Sequence, residues 1–347
     1  MRRLLASVLL LAACNDAPDL PPYLGDSDGK APPPPGGSTI GGGDGGSGDA
    51  DADAGAPTTL ASAKNPKGLF LSGAYVYYTN YASGAADGTV SRVGADGSNP
   101  QDVTTGVTAP WAVVVESGFV TFTTAPGAGT GGVFAVAESG GTATQVRSGI
   151  VGAVGLALDS AGNVFWTTDT GSGVQVERAA VGTAVFTSIL DFGGAVSPEA
   201  LAVSGVDVFV ATGGSGAAVL RGQTSGSGNL APLDTPTNAT YGDVAVSSLT
   251  VYATFDDGAL TGAIVSFPRA GGVATNLVTG INHPGRLALD GNNLYFTDPQ
   301  GGAIWVVDVN APAAPALVAS GLSSPLPIVV GDAIYVGASD AIVRIPK

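Results

Sequence analysis

The sequence predicts an all-β fold, a seven-bladed β-propeller of four-stranded antiparallel blades, and three observations predict it. A short apolar word returns seven times at a spacing of 40 to 44 residues. Its copies are Val76-Tyr77-Tyr78-Thr79, Val120-Thr121-Phe122-Thr123, Val164-Phe165-Trp166-Thr167, Val208-Phe209-Val210-Ala211, Val251-Tyr252-Ala253-Thr254, Leu294-Tyr295-Phe296-Thr297 and Ile334-Tyr335-Val336-Gly337. Glycine is abundant, 54 of 347 residues, and falls between apolar runs where tight turns belong. No stretch after the N-terminal segment sustains a 3.6-residue apolar period, so no long helix is expected there. A fixed period near 40 built of short strands is the mark of a ring of stacked blades.

Taken from the N-terminus, residues 1–13 form the first piece. Arg2 and Arg3 precede an apolar run from Leu4 to Leu11, far shorter than the roughly 20 residues a membrane-spanning helix needs. It reads as a secretion signal. Its end, Leu11-Ala12-Ala13-Cys14, resembles the lipobox of bacterial lipoproteins. That resemblance implies cleavage before Cys14, lipidation of its thiol, and a bacterial envelope location, with the outer membrane favoured because Asn15 rather than aspartate follows. An ordinary secretion signal with an incidental cysteine is the alternative.

Cys14 is the only cysteine, so an internal disulfide and a thiolate metal site are excluded from the rest of the chain. Residues 14–57 form the second piece, dominated by Pro, Gly, Ser and Asp. Such a segment has too little apolar surface to offset its ordering entropy, and it is expected to be a disordered tether. As a flexible chain it would span about 35 Å root-mean-square. It holds eight aspartates against one lysine, and the body from Thr58 onward holds twenty acidic and ten basic residues. Acidity in both pieces argues against nucleic acid as a partner, and against adsorption to anionic lipid headgroups. Membrane association is therefore expected through the lipid anchor alone.

Residues 58–347 are the expected propeller. In the unit from Pro284 to Ser324, Arg286-Leu287-Ala288-Leu289 is the first strand and Asp290-Gly291-Asn292-Asn293 the turn. Leu294–Thr297 is the second strand, Ile304–Val307 the third, and the fourth lies within Pro315 to Leu322. First strands elsewhere are continuously apolar, as in Val113-Val114-Val115 and Leu201-Ala202-Val203, which suits a strand covered on both faces. A proline precedes the first strand in five units, at Pro66, Pro110, Pro198, Pro284 and Pro325. The seventh unit ends after its third strand, and Thr58-Thr59-Leu60-Ala61-Ser62 is expected to supply the fourth and close the ring. A monomer is expected.

The words Tyr77-Tyr78-Thr79-Asn80 and Tyr295-Phe296-Thr297-Asp298 resemble those of YWTD and NHL propellers, which commonly have six blades. The aromatic-Thr words on second strands also resemble the seven-bladed streptogramin lyase group. That resemblance implies a histidine base with acidic and metal-binding support. This chain offers one histidine, His283, and no match to the group's other site residues.

In propellers, loops leading into first strands gather with second-to-third loops at one mouth of the channel. The first set offers Lys67, Trp111, Glu199, Tyr241, Asp243, His283 and Arg286 as candidate contacts for a protein partner or polar ligand. The second set offers Asp87, Asp169, Asp256, Asp257, Asp298 and Asp340. Each has a plainer reading as a turn or packing residue, and Trp111 is as well suited to blade-to-blade packing as to contact. Asp49 to Gly55 lacks the glycine placement and terminal glutamate of a calcium loop and reads as acidic spacer. Phosphate loops, nucleophile elbows and paired zinc ligands are absent, and no cofactor or metal is expected. These features lead to a non-catalytic binding or scaffold module on the cell envelope. A lyase or hydrolase working at the channel mouth, and an envelope-assembly component, are the alternatives.

Overall fold

The computed structural model describes residues 56–125, 131–151, 155–226, 228–234, 237–258 and 262–347. The signal, Cys14 and nearly all of the expected tether lie outside the described residues. The described residues form 28 strands and no helix. They assemble into seven four-stranded antiparallel sheets.

Blade 1 is β2 (Pro66–Ser72), β3 (Tyr75–Asn80), β4 (Gly88–Gly94) and β5 (Gln101–Val107). Blade 2 is β6 (Pro110–Glu116), β7 (Phe119–Thr124), β8 (Gly131–Ala137) and β9 (Thr144–Ile150). Blade 3 is β10 (Leu156–Leu158), β11 (Asn163–Asp169), β12 (Gly173–Ala180) and β13 (Phe186–Gly193). Blade 4 is β14 (Val196–Ser204), β15 (Asp207–Gly214), β16 (Val219–Gln223) and the two-residue β17 (Ala231–Pro232). Blade 5 is β18 (Thr240–Val246), β19 (Thr250–Asp256), β20 (Gly262–Pro268) and β21 (Thr275–Ile281). Blade 6 is β22 (Leu287–Asp290), β23 (Asn293–Asp298), β24 (Ala303–Asp308) and β25 (Ala316–Ala319). Blade 7 combines β26 (Ile328–Val330), β27 (Ile334–Gly337) and β28 (Ala341–Ile345) with β1 (Thr58–Ser62).

The closing strand is the one the sequence nominates. β1 runs antiparallel to β28, with Thr58 opposite Arg344 and Ser62 opposite Ala341. The first strands touch their neighbours in cyclic order, and β2 also meets β26, which completes the ring. The core lies between blades. Phe165, Phe209, Leu220 and Val251 belong to one fully buried cluster running through blades 3 to 5.

A repeated device shapes the lead-in to the first strand in four of the blades. Pro66 pairs with Asn80 and Pro110 with Thr124, and in both the register slips before regular pairing resumes at Leu69 and Val113. Proline thus sits inside the strand, at a bulge, where its missing N–H leaves no gap in the ladder. The bulge frees the amide just before the resumption, and the threonine closing the aromatic word accepts it. Thr79 Oγ1 takes Gly68 N–H at 2.9 Å, and Thr123 Oγ1 takes Ala112 N–H at 3.1 Å. Thr167 Oγ1 takes Gly155 N–H at 3.4 Å, and Thr297 Oγ1 takes Arg286 N–H at 2.7 Å. This explains why threonine recurs there.

The residue carrying that amide abuts the next blade, which sets its size. A Cβ on Gly68 would stand 2.4 Å from the Trp111 carbonyl oxygen, and one on Gly155 would stand 2.5 Å from Leu201 Cβ. Gly68, Ala112, Gly155 and Ala200 occupy this slot in blades 1 to 4, whereas blades 5 and 6 carry Asp243 and Arg286. That departure sits at the channel mouth.

Candidate functional site

The lead-in loops and second-to-third loops do meet at one end. Tyr81 N–H donates to Asn65 O, Ala125 N–H to Ala109 O, and Asn282 Nδ2 to Gln300 Oε1. Asn65, Ala109, His283 and Ser324, each just before a proline, all hold φ between 43° and 54°. The left-handed backbone of His283 therefore belongs to the repeat rather than to a private strain at that residue.

Asp243 and Arg286 form the most unusual pair in the described structure. Asp243 is 1% exposed and Arg286 4%. Asp243 Oδ1 accepts Val244 N–H at 2.9 Å, and Oδ2 accepts Leu287 N–H at 2.8 Å, so this carboxyl links blade 5 to blade 6. Arg286 Nη1 donates to Gly242 O at 2.8 Å and lies 3.9 Å from Asp243 Oδ1. Burial pushes the Asp243 carboxyl up to about 8, against the pull of its two backbone amides. The same burial brings the Arg286 guanidinium down to about 9. Burying a carboxyl and a guanidinium costs more desolvation than a contact of 3.9 Å returns, so the pair does not explain itself by stability.

Next to it, His283 Nδ1 is bonded to Asp256 Oδ2, joining the lead-in loop of blade 6 to the end of β19. Asp256 Oδ1 accepts Gly258 N–H at 2.7 Å and is held in a turn by it. Three polar atoms in this sector are buried without a partner: Arg286 Nε, His283 Nε2 and Thr254 Oγ1. Thr254 is the threonine of blade 5's repeated word, and its counterparts in blades 1, 2, 3 and 6 are all bonded.

The other candidates are distributed around the ring. Lys67 Nζ stands 5.0 Å above the Trp111 ring and 5.5 Å above Tyr81, whose rings meet edge to face at 5.8 Å. Trp111 itself is 1% exposed, with its backbone carbonyl taking the Thr79 hydroxyl at 2.6 Å, so it fills the seam between blades 1 and 2. Tyr241 is buried in blade 5 against Phe255 and Phe267 and faces the core. Glu199 Oε1 accepts the Ser197 hydroxyl at 3.0 Å and overlies Gly213. The structure thus brings Asp243, His283 and Arg286 to one seam and Lys67 and Trp111 to another, with Glu199 and Tyr241 apart from both. Cys14 lies outside the described residues. Of the second-to-third loop carboxylates, Asp169 and Asp298 close their own turns on Gly171 and Gly301 N–H, both at 2.7 Å.

The sequence reading put Asp256 at the mouth without pairing it to His283, and it missed Thr254. A signal was present: stacking the seven units on their aromatic words exposes the acidic and basic intrusions in a slot otherwise filled by Gly, Ala or Pro327. A cavity of about 870 Å³ opens elsewhere, between β5 and blade 2, lined by Thr104, Phe122, Thr124 and Phe134 among others. Asp102 is its sole ionisable wall residue, so this cavity offers fewer charged groups than the blade 5–6 seam. Among the described residues no group of three or more His, Cys, Asp or Glu side chains is placed to hold a metal ion.

With that geometry in hand, comparison with known proteins adds the fold. The chain is similar to virginiamycin B lyase from Staphylococcus aureus, with a TM-score of 0.65 and 14% identity over 84% of this chain and 98% of that one. A streptogramin B lyase structure matches at 0.65 and 14% identity, over 83% of this chain and 96% of that one. An oligogalacturonate lyase in complex with manganese matches at 0.60 and 12% identity, over 85% of this chain and 94% of that one. No protein-family model and no curated protein matches the chain. The protein is a seven-bladed propeller resembling streptogramin B lyase in fold, and at such identities fold is all the likeness conveys.

Proposed function

We propose that this chain is a lipid-anchored protein of the bacterial envelope whose propeller is a non-catalytic binding module, presenting its channel mouth to a protein partner or polar ligand. One observation carries the reading: most of the mouth's carboxylates and its lysine are taken up in holding loops and blades rather than converging as an acid, a base and a nucleophile. Asp243 joins blades, Glu199 takes Ser197, Lys67 caps an aromatic pair and the loop carboxylates close turns. What such a rim offers is a varied, rigidly held surface.

The anchor is tested by Cys14→Ser, which should abolish lipid labelling and move the protein from the detergent phase to the aqueous phase. Unchanged partition would remove the anchor from the reading, and co-fractionation with inner-membrane markers would remove the outer membrane. The module is tested by Lys67→Glu and Glu199→Lys in pull-downs from envelope extract. A partner recovered with the wild type and lost from either variant supports the mouth as its site. Equal recovery with both places the contact elsewhere.

A second reading, a lyase or hydrolase at the mouth, is favoured by the His283–Asp256 pair, since a carboxylate on Nδ1 orients the imidazole and leaves Nε2 for proton transfer. Turnover of a lyase substrate that disappears in His283→Asn, a residue tolerant of the same φ, would favour it over the binding module.

A further inference from the structure

We infer that the seam between blades 5 and 6 is a carboxylate-binding site, in which Arg286 Nε, His283 Nε2 and the Thr254 hydroxyl receive an acidic group of the ligand. This deepens the binding-module reading and rests on it.

The three atoms are buried and unpartnered, and a continuous run of contacts ties them to one place. Arg286 Nη1 bonds Gly242 O, and a Cβ on Gly242 would stand 3.1 Å from Thr254 Oγ1. Thr254 and Asp256 are two apart on β19 and so face the same side of the sheet. Asp256 in turn holds His283. The repeat supplies the internal control. Where the slot holds Gly68, Ala112 or Gly155 the corresponding threonine accepts the slot amide, and it does so even where the slot holds Arg286. Where it holds Asp243, the threonine is left open and an arginine has entered from the next blade.

The chemistry of the open atoms selects the ligand. Arg286 Nε can only donate, and an imidazole with a carboxylate on Nδ1 donates from Nε2 once protonated. The threonine hydroxyl donates equally well. A group that accepts on several lone pairs and carries negative charge satisfies all three, and a carboxylate does so in the planar form a guanidinium prefers. Burial also favours the neutral form of Asp243, which leaves the Arg286 charge without a full counter-ion inside the wall. Ordered water is the alternative occupant, since buried polar atoms without protein partners commonly hold it.

The test uses the chain's single histidine. In ¹⁵N-labelled protein the imidazole nitrogens of His283 give one uncrowded signal set, which is followed while acetate is added against chloride at constant ionic strength. A saturable displacement of Nε2 by acetate and not chloride is expected, with half-saturation raised about tenfold or more in Thr254→Val and in Arg286→Met. Should Arg286→Met fail to fold, the near-isosteric Thr254→Val carries the comparison. No saturable displacement up to about 100 mM acetate, an equal response to chloride, or an unchanged response in Thr254→Val overturns the site and leaves water as its occupant. These outcomes are independent of partner capture, so a mouth that binds its partner without a carboxylate site is distinguished from a mouth that binds nothing.

Discussion

The buried carboxyl of Asp243 makes the stability of this propeller depend on pH in a direction opposite to that of an ordinary surface aspartate. Its ordinary value is 3.8, and in the folded protein burial raises it to about 8. Between those limits the folded state keeps a proton that the unfolded chain has released. The contribution from this group is therefore fully present below the unfolded value and is lost as pH rises through the folded one. One group titrating in this way gives a slope of about 1.4 kcal/mol per pH unit, so stability should fall by about 3 kcal/mol from pH 5 to pH 7. Arg286, lowered to about 9, stays protonated throughout that window and does not alter the slope.

The perturbation is Asp243→Asn. Asparagine keeps one acceptor for the amides of Val244 and Leu287 and loses the other, so the variant should be weaker by roughly 1–3 kcal/mol at pH 5, a gap that closes toward pH 7. The decisive quantity is the slope. Urea unfolding followed by intrinsic fluorescence at pH 5, 6 and 7 gives the midpoint shift for both proteins, and every other titrating group contributes alike to each. The wild type should lose stability across the series while the variant loses about 3 kcal/mol less. Profiles that run parallel to within about 0.5 kcal/mol would show that Asp243 is ionised in the folded state, and would refute the account of a carboxyl held neutral by burial.

Two further outcomes follow from the packing. Deleting residues 58–63 removes β1 and its pairing to β28, so the thermal midpoint should drop and the edge of blade 7 should promote association; deleting residues 15–47 should leave the midpoint unchanged, and equal melting of the two proteins would mean that β1 does not hold the ring. Glu177, 2% exposed, takes Trp166 Nε1–H at 2.7 Å and Arg147 Nε–H at 3.0 Å across the seam of blades 2 and 3; Glu177→Ala should cost about 3–5 kcal/mol in chemical unfolding, and a loss below about 1 kcal/mol would show the clamp to be dispensable.

How far the sequence reached can be argued from its own words. Val76-Tyr77-Tyr78-Thr79 and its copies lie on β3, β7, β11, β15, β19, β23 and β27, because a second strand buried on both faces must be apolar throughout and so repeats visibly. Thr58–Ser62 was legible as the closing strand because its likeness to other fourth strands survives where the unit count falls one short. Blade 4's fourth strand shrinks to Ala231–Pro232, which no outer-strand pattern announced, since outer strands are half-exposed and tolerate almost any residue. Trp111 could not be assigned by type: the same ring area serves a partner or a neighbouring blade, and only the carbonyl–threonine bond beside it and its 1% exposure place it in the seam.

The site resisted reading for a different reason. Asp256 and His283 lie 27 residues apart, in loops of two blades, and nothing local marks either as the other's partner. What the sequence did hold was the repeat itself, which acts as an alignment of the chain with itself. In that alignment the slot of Gly68, Ala112, Gly155 and Ala200 is a steric requirement, enforced by the backbone of the next blade at 2.4 Å in the first of them. A repeat that departs from such a requirement must rebuild the contact, and blades 5 and 6 rebuild it with a buried carboxyl and a buried guanidinium and leave Thr254 Oγ1, Arg286 Nε and His283 Nε2 without a partner. Packing alone would have kept the small residue, beside which the threonine is bonded in blades 1 to 3. The carboxylate site proposed above supplies a reason for the departure, and in a ring of near-equivalent blades it would make that one seam the place where the scaffold is put to use.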